Sequence, residues 1–316
     1  MLERELRELT DLGRVFVVGC PRSGTTLLQA MLASHPDIFS FPETHFFSKL
    51  RGRFASNPGW VASPRPAWRE LKELARSLGV EDRARLTPWH LGFVARAYEQ
   101  AFLRVVDEAC LHAGKGTWVE KSPIHLHFID EIASVIPDAR FIHVVRNGKR
   151  VVSSFYRLCL TDPGWVRQVL PGNPDQNLRS DSEDYRVLDA VVDRWNKDVA
   201  ISAAAAGLRR HTITSLERLT AHPQTELERV CEALSLSFRE EMLEYRAAAR
   251  DVIGWRIRRP HMRGPLQPLR RESGPDLAEL LPAQVRRVES RLLFGGDAER
   301  VVTSVCPGAF SEGQAA

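Results

Sequence analysis

The stretch Arg14-Val-Phe-Val-Val-Gly-Cys-Pro-Arg-Ser-Gly-Thr-Thr-Leu-Leu28 decides the fold. An apolar run enters a Gly-Cys-Pro-Arg-Ser-Gly turn, and an amphipathic segment follows at once. That order predicts strand, phosphate loop, helix. A turn at a helix N-terminus presents backbone N–H groups, and the helix dipole favours an anion there. Gly19 and Gly24 keep the spacing of the nucleotide-binding loop GxxxxGK(S/T). Position 25 is Thr where that loop carries Lys, and a cation, Arg22, stands inside the turn instead. The loop therefore suits a phosphate-like group rather than the γ-phosphate and magnesium chemistry of an ATPase.

Working outward, residues 14–19 read as a strand buried on both faces. The next helix carries Leu27, Leu28, Met31 and Leu32 on one side and stops near His35-Pro36. Residues 37–48 read as short and irregular. A helical insertion follows over about 50–112, clearest at Phe93, Val94, Ala97, Tyr98, Phe102, Val105, Val106 and Ala109. A strand at Thr117-Trp-Val-Glu120 leads to Lys121-Ser-Pro123, where Ser122 suits an N-cap and Pro123 a first helical residue. The helix behind them offers Leu126, Ile129, Ile132 and Ile136 to the core. The strand Arg140–Val145 ends at Arg146-Asn-Gly148 and passes into a helix with Val151, Val152 and Phe155.

Residues 161–183 are rich in Pro, Gly, Asp and Asn, a composition expected of a lid loop. Helix returns at 185–207, strand at 211–214 and helix at 223–234. The alternation predicts an α/β fold: a parallel sheet flanked by helices, of the P-loop nucleotide-binding type, with a helical insertion. Residues 1–306 read as a single domain and 307–316 as a loose tail. Ligands of such sheets bind beyond the carboxyl ends of the strands. The glycine loop, Lys121 and Arg146 each follow a strand, so all three are expected at one edge.

Composition bounds the function. At 316 residues, 43% hydrophobic and 27% charged, the chain is long enough for a large buried core. A net charge of +4 argues against a general nucleic-acid binder. The five cysteines are scattered and show no metal-ligand spacing, which points to a reducing compartment and no metal. The charged start Met1-Leu-Glu-Arg-Glu-Leu-Arg-Glu-Leu9 does not read as a signal peptide, and no apolar run approaches membrane-spanning length. The expectation is a cytoplasmic protein with no membrane partner.

The motifs resemble those of sulfotransferases that use 3′-phosphoadenosine 5′-phosphosulfate (PAPS). Gly19-Cys-Pro-Arg-Ser-Gly-Thr-Thr-Leu-Leu28 resembles that family's 5′-phosphosulfate loop. Val144-Val-Arg-Asn-Gly-Lys-Arg-Val-Val-Ser-Ser154 resembles its 3′-phosphate motif, an Arg followed eight residues later by a Ser. Glu43 and Lys121-Ser-Pro123 fit the branch that contains tyrosylprotein sulfotransferases and bacterial relatives. The likeness is good over about 14–48 and 115–160. Family members often carry Tyr-Glu-Asp-Leu after a late strand, where this chain has Leu216-Glu-Arg-Leu219. The segment Leu269–Pro275 resembles a basic stretch that reaches the 3′-phosphate, which nominates Arg271.

The resemblance implies a role for each residue. Arg22, Ser23, Gly24, Thr25 and Thr26 hold the phosphosulfate, and Arg146 and Ser154 the 3′-phosphate, with PAPS as co-substrate. On its own Ser154 is an ordinary helix serine. Eight residues span about 12 Å of helix axis, so Arg146 and Ser154 can meet one phosphate only if it lies beside the helix. Glu43 is the general base that takes the acceptor's proton, with His45, His125 and His127 in reserve. His125 and His127 suit structural roles better. Lys121 stabilises charge on the leaving group. A bare surface Glu and a solvated Lys are the bland alternatives. Scarcity of lysine, six of 44 basic residues, favours a dedicated one at 121. The acceptor is a hydroxyl of a small molecule, carbohydrate or phenol. The competing readings are an ATP-dependent kinase and a non-catalytic nucleotide-binding relative.

Overall fold

Val15, Phe16, Val17 and Val18 are all buried, which makes Gly13–Gly19 (β1) an interior strand as its unbroken apolar pattern requires. In this computed structural model the described residues are 12–51, 64–82, 94–162, 164, 185–254, 264–269, 280–292, 300, 302–304 and 306–307. The other strands are Ile38–Ser40 (β2), Thr117–Lys121 (β3), Arg140–Val145 (β4) and His211–Ser215 (β5). They lie in the order β2-β3-β1-β4-β5, with β3 parallel to both β1 and β2. The helices are Thr25–Ala33 (α1), Phe46–Arg51 (α2), Pro64–Ser77 (α3), Ala95–His112 (α4), Ile129–Val135 (α5), Gly148–Thr161 (α6), Arg186–Ala204 (α7), Leu216–Ala221 (α8), Pro223–Leu234 (α9), Arg246–Ile253 (α10) and Pro282–Arg291 (α11). The fold is the parallel α/β class expected. The chain divides into two compact units.

The first unit holds Met1–Val18, Thr26–Ile142 and Cys231–Gln267. Its β1 and β3 pair from Gly13↔Thr117 to Val17↔Lys121. Phe16 stacks on Phe141 and meets Trp118 edge-on, and Phe46 stacks on Phe102 at 4.6 Å. Three expectations change here. Residues 37–48 are not irregular throughout: they contain β2 and the start of α2. The segment after Lys121 is first a 3₁₀ helix, Pro123–Phe128; Ser122 holds its N-cap position and Pro123 its first, as expected, but the Ser122 side chain makes no capping bond. Its hydroxyl instead donates to Glu120 Oε1 at 2.6 Å, a buried carboxylate that competes for the hydroxyl. Val94 precedes α4 and is exposed rather than part of its apolar face.

The second unit holds Gly19–Thr25, His143–Val230 and Pro268–Ala316. Val151, Val152 and Phe155 of α6 share a core with Val191, Val192 and Trp195 of α7. Asn147 caps α6, its side chain accepting from the Lys149 and Arg150 amides at 3.0 and 3.4 Å. His143 is buried in β4, with Nε2 3.0 Å from His211 Nδ1. Burial and that neighbour push the His143 pKa down to about 3. An unfolded histidine titrates near 6.5. Between those values the unfolded chain binds this proton and the folded chain does not, so stability falls as pH drops through the window. This one group contributes a slope of about 1.4 kcal/mol per pH unit. Urea titrations from pH 7 to 4 are expected to show a shallower acid loss for His143→Asn than for the unaltered protein. Equal slopes would mean that folded His143 takes up the proton.

All five cysteines are buried and unpaired with one another. Burial pushes the thiols up, to about 12 for Cys110 and Cys159 and to about 11 for Cys231 and Cys306.

Candidate active site

In the second unit the chain leaves β1 at Gly19, whose φ of +149° suits glycine alone. A Cβ there would sit 2.3 Å from the Val144 carbonyl oxygen. The Ser23 amide then donates to the Cys20 carbonyl at 3.2 Å, closing a four-residue turn. Pro21 holds its second position. Arg22 holds the third at φ +74°, the sign a type II turn demands and glycine or asparagine usually supplies. Gly24 follows at φ +92°, with Leu216 filling the place of a Cβ. The helix α1 begins at Thr25, and the first amides of a helix have no acceptor within it.

Arg22 is bonded to both Ser154 and Arg146. Its Nε donates to Ser154 Oγ at 3.1 Å. Its carbonyl accepts from Arg146 Nη1 at 2.7 Å. Arg146 and Ser154 thus meet one residue, one through its backbone and the other through its side chain. Arg22, Arg146 and Ser154 form one connected cluster. Arg146 is 9% exposed, and its own carbonyl accepts from Trp195 Nε1 at 3.1 Å. Ser23 is fully buried, and its hydroxyl has no hydrogen-bond partner among the described residues. A buried hydroxyl in that condition costs free energy that an added anionic acceptor would recover. The residues therefore fit a phosphate or sulfate group. One amide expected to face it, that of Ser23, is taken by Cys20.

In the first unit, Lys121 ends β3 almost wholly buried, with Nζ 3.3 Å from Glu43 Oε2. His45 Nε2 lies 3.7 Å from the other oxygen, Oε1. Glu43 follows buried Phe41 and precedes buried Phe46 and Phe47, the apolar wall expected around it. Its own side chain keeps 12% exposure, so solvent or a substrate can reach it. A carboxylate and an ammonium side by side can accept one proton and neutralise one developing negative charge. His125 is fully buried and hydrogen-bonded to Glu120 and the Phe47 amide, a structural position.

Arg271 lies outside the described residues, as do Trp60, Trp89, Trp165 and nearly all of 161–183. Of the tail, only Pro307 is described. Among the described residues no three His, Cys, Asp or Glu gather as a metal-ligand set, and no helix is long and apolar enough to cross a membrane.

Three contributors were not singled out from sequence. Glu217 Oε1 accepts from the Asn147 amide at 2.9 Å, fixing the turn that carries Arg146. Its signal was present, because the family's Tyr-Glu-Asp-Leu keeps a Glu at that place. Leu216 packs on Gly24. Glu120 is fully buried beside Lys121, with its carboxyl below the usual range. Burial works against ionisation there, but hydrogen bonds from His125, Ser122 and Thr44 outweigh it.

Comparison with known proteins agrees with these motifs. Protein-tyrosine sulfotransferase 2 of Gallus gallus is 25% identical over 245 residues, covering 76% of this chain and 56% of its own length. The chain thus spans about half the length of the curated relatives it matches. Among solved structures, the sulfotransferase domain of the curacin biosynthetic pathway has a TM-score of 0.53 at 20% identity, over 93% of this chain and 96% of its own. Mouse sulfotransferase SULT7A1, solved in complex with PAP, has a TM-score of 0.51 at 12% identity, over 96% and 92%. The profile of the sulfotransferase family matches residues 14–240, and the chain belongs to that family.

Proposed function

We propose that the protein transfers the sulfuryl group of PAPS to a hydroxyl of a small-molecule, carbohydrate or phenolic acceptor, and that its two units form one catalytic domain. The observation that carries this reading is the meeting of Arg22, Arg146 and Ser154 around a glycine loop with a buried, unsatisfied Ser23 hydroxyl. In the second unit Arg22, Ser23, Gly24 and Thr25 hold the 5′-phosphosulfate, together with Thr26 at the start of α1. Arg146 and Ser154 hold the 3′-phosphate, and Arg271 is a further candidate. Arginine suits both places because it keeps its charge and bonds two oxygens at once.

In the first unit Glu43 takes the acceptor's proton as its oxygen bonds to sulfur. The sulfur–oxygen bond to the 5′-phosphate breaks, and Lys121 donates to the phosphate oxygen that departs with adenosine 3′,5′-bisphosphate (PAP). No metal takes part in this scheme. The likeness to a protein-tyrosine sulfotransferase adds the phenol of a polypeptide tyrosine to the acceptors worth testing.

Calorimetric titration separates this reading from a kinase. PAP is expected to bind at least about tenfold more tightly than ATP, a difference of about 1.4 kcal/mol, with and without magnesium. Preference for ATP, or binding that depends on magnesium, would overturn it.

A further inference from the structure

We propose that Glu120, Thr44, Ser122 and His125 form a buried brace that positions Glu43, an inference that rests on the functional reading above. Glu120 and Lys121 are neighbours on β3, so their side chains leave opposite faces of the strand. Lys121 reaches Glu43 on one side. Glu120 engages the residues after Glu43 on the other.

Three consecutive amides open this segment, those of His45, Phe46 and Phe47. Each donates to a different brace residue. The His45 amide donates to Ser122 Oγ at 2.9 Å, the Phe46 amide to Thr44 Oγ1 at 3.2 Å and the Phe47 amide to His125 Nε2 at 3.2 Å. Every one of those acceptors passes a hydrogen on to Glu120. Ser122 Oγ and Thr44 Oγ1 donate to Oε1 at 2.6 and 2.9 Å. His125 Nδ1 donates to Oε2 at 2.9 Å.

The direction of these bonds is forced. A backbone amide can only donate, so His125 Nε2 is bare and its proton sits on Nδ1. The ring is then neutral, and Glu120 must be the ionised acceptor at the end of all three relays. The amides they satisfy belong to the first residues of α2 and the one before it, donors that no helix satisfies internally. His45 itself is held at φ +54°, a conformation that costs a non-glycine residue free energy and persists only when its surroundings enforce it. Glu43 stands two residues before that point. The brace therefore determines where its carboxylate lies relative to Lys121. These are positioning residues, since none of them needs to touch the substrate.

Thr44→Val removes one relay while keeping the side-chain shape, Thr44→Ser keeps the relay, and Glu120→Gln removes the charge and turns one of the two acceptor oxygens into a donor. Turnover is measured with PAPS and whichever alcohol, phenol or sugar of a panel the unaltered protein sulfates fastest. Thr44→Val is expected to bind PAP within about twofold of the unaltered protein and to lose about 10- to 100-fold in kcat with little change in acceptor KM. Thr44→Ser is expected to recover most of that loss. Amide exchange at Phe46 is expected to speed up about tenfold or more in Thr44→Val, whether or not Glu120→Gln folds. Unchanged exchange, a kcat within about twofold of the unaltered protein, or a Ser variant as slow as the Val variant would overturn the brace. An unaltered protein that binds PAP poorly and sulfates nothing would overturn the functional reading, and the exchange result would still report on the brace.

Discussion

Glu43→Gln is expected to cut turnover by roughly 10²–10⁴ while PAP affinity stays within about twofold. The substitution keeps the shape of the side chain and removes its ability to take a proton. Glu43 is not among the residues assigned to PAP, and the bonds of Arg22 to Arg146 and Ser154 do not involve it, so the nucleotide loses no contact. Steady-state kinetics at saturating PAPS, with PAP titrated separately, separate the two quantities. Near-normal turnover would move the base to His45, whose Nε2 is 3.7 Å from Glu43 Oε1. A parallel fall in PAP affinity would mean that Glu43 supports the fold rather than the chemistry.

Gly19→Ala is expected to cost roughly 2–6 kcal/mol, the sum of backbone strain and overpacking. The added Cβ meets the Val144 carbonyl oxygen at 2.3 Å, and that oxygen belongs to β4, which cannot yield as a flexible side chain can. The φ of +149° adds a conformational cost to any L-residue. Many domains have only about 5–15 kcal/mol in reserve, so the variant is expected to be largely insoluble or to melt far below the unaltered protein. Thermal melts followed by circular dichroism test this directly. A folded variant with an unchanged midpoint would show that the loop does not approach β4 so closely.

The legible parts of the fold were those written in local pattern. An unbroken apolar run marked β1, and β4 and the start of α6 followed from Arg140–Val145 and Asn147-Gly148. The spacing of Gly19 and Gly24 marked the loop, and Arg146 with Ser154 marked the helix beside it. β2 was missed because three residues carry no periodicity of their own, and only pairing with β3 makes them a strand. Ser122 stands at the N-cap position as read, but its side chain does not cap, for a related reason. Local rules favour it as a cap, but a buried carboxylate two residues earlier binds its hydroxyl instead. The positive φ of Arg22 was equally hidden, since sequence offers glycine or asparagine as its usual signal.

The candidate site was legible as a set of residue types and illegible as a network. Glu43, Lys121, Arg22, Arg146 and Ser154 could be named from motifs. That Arg22 would lie between Arg146 and Ser154, or that Thr44 would bond Glu120, depends on contacts across 76 to 132 residues of chain. Such contacts leave no trace in spacing. Alternation along β3 does place Glu120 and Lys121 on opposite faces, and that much was available before any coordinates.

The five inaccessible sulfur atoms have a practical corollary. With titration points at or above about 11 for four of them and every one shielded from solvent, the folded protein offers almost no reactive thiolate at neutral pH. A cysteine placed at an outward-facing position such as Leu208, which is 55% exposed, would then be the group a maleimide dye or spin label finds first. Spectroscopic reporters can be attached one at a time without stripping out the native set.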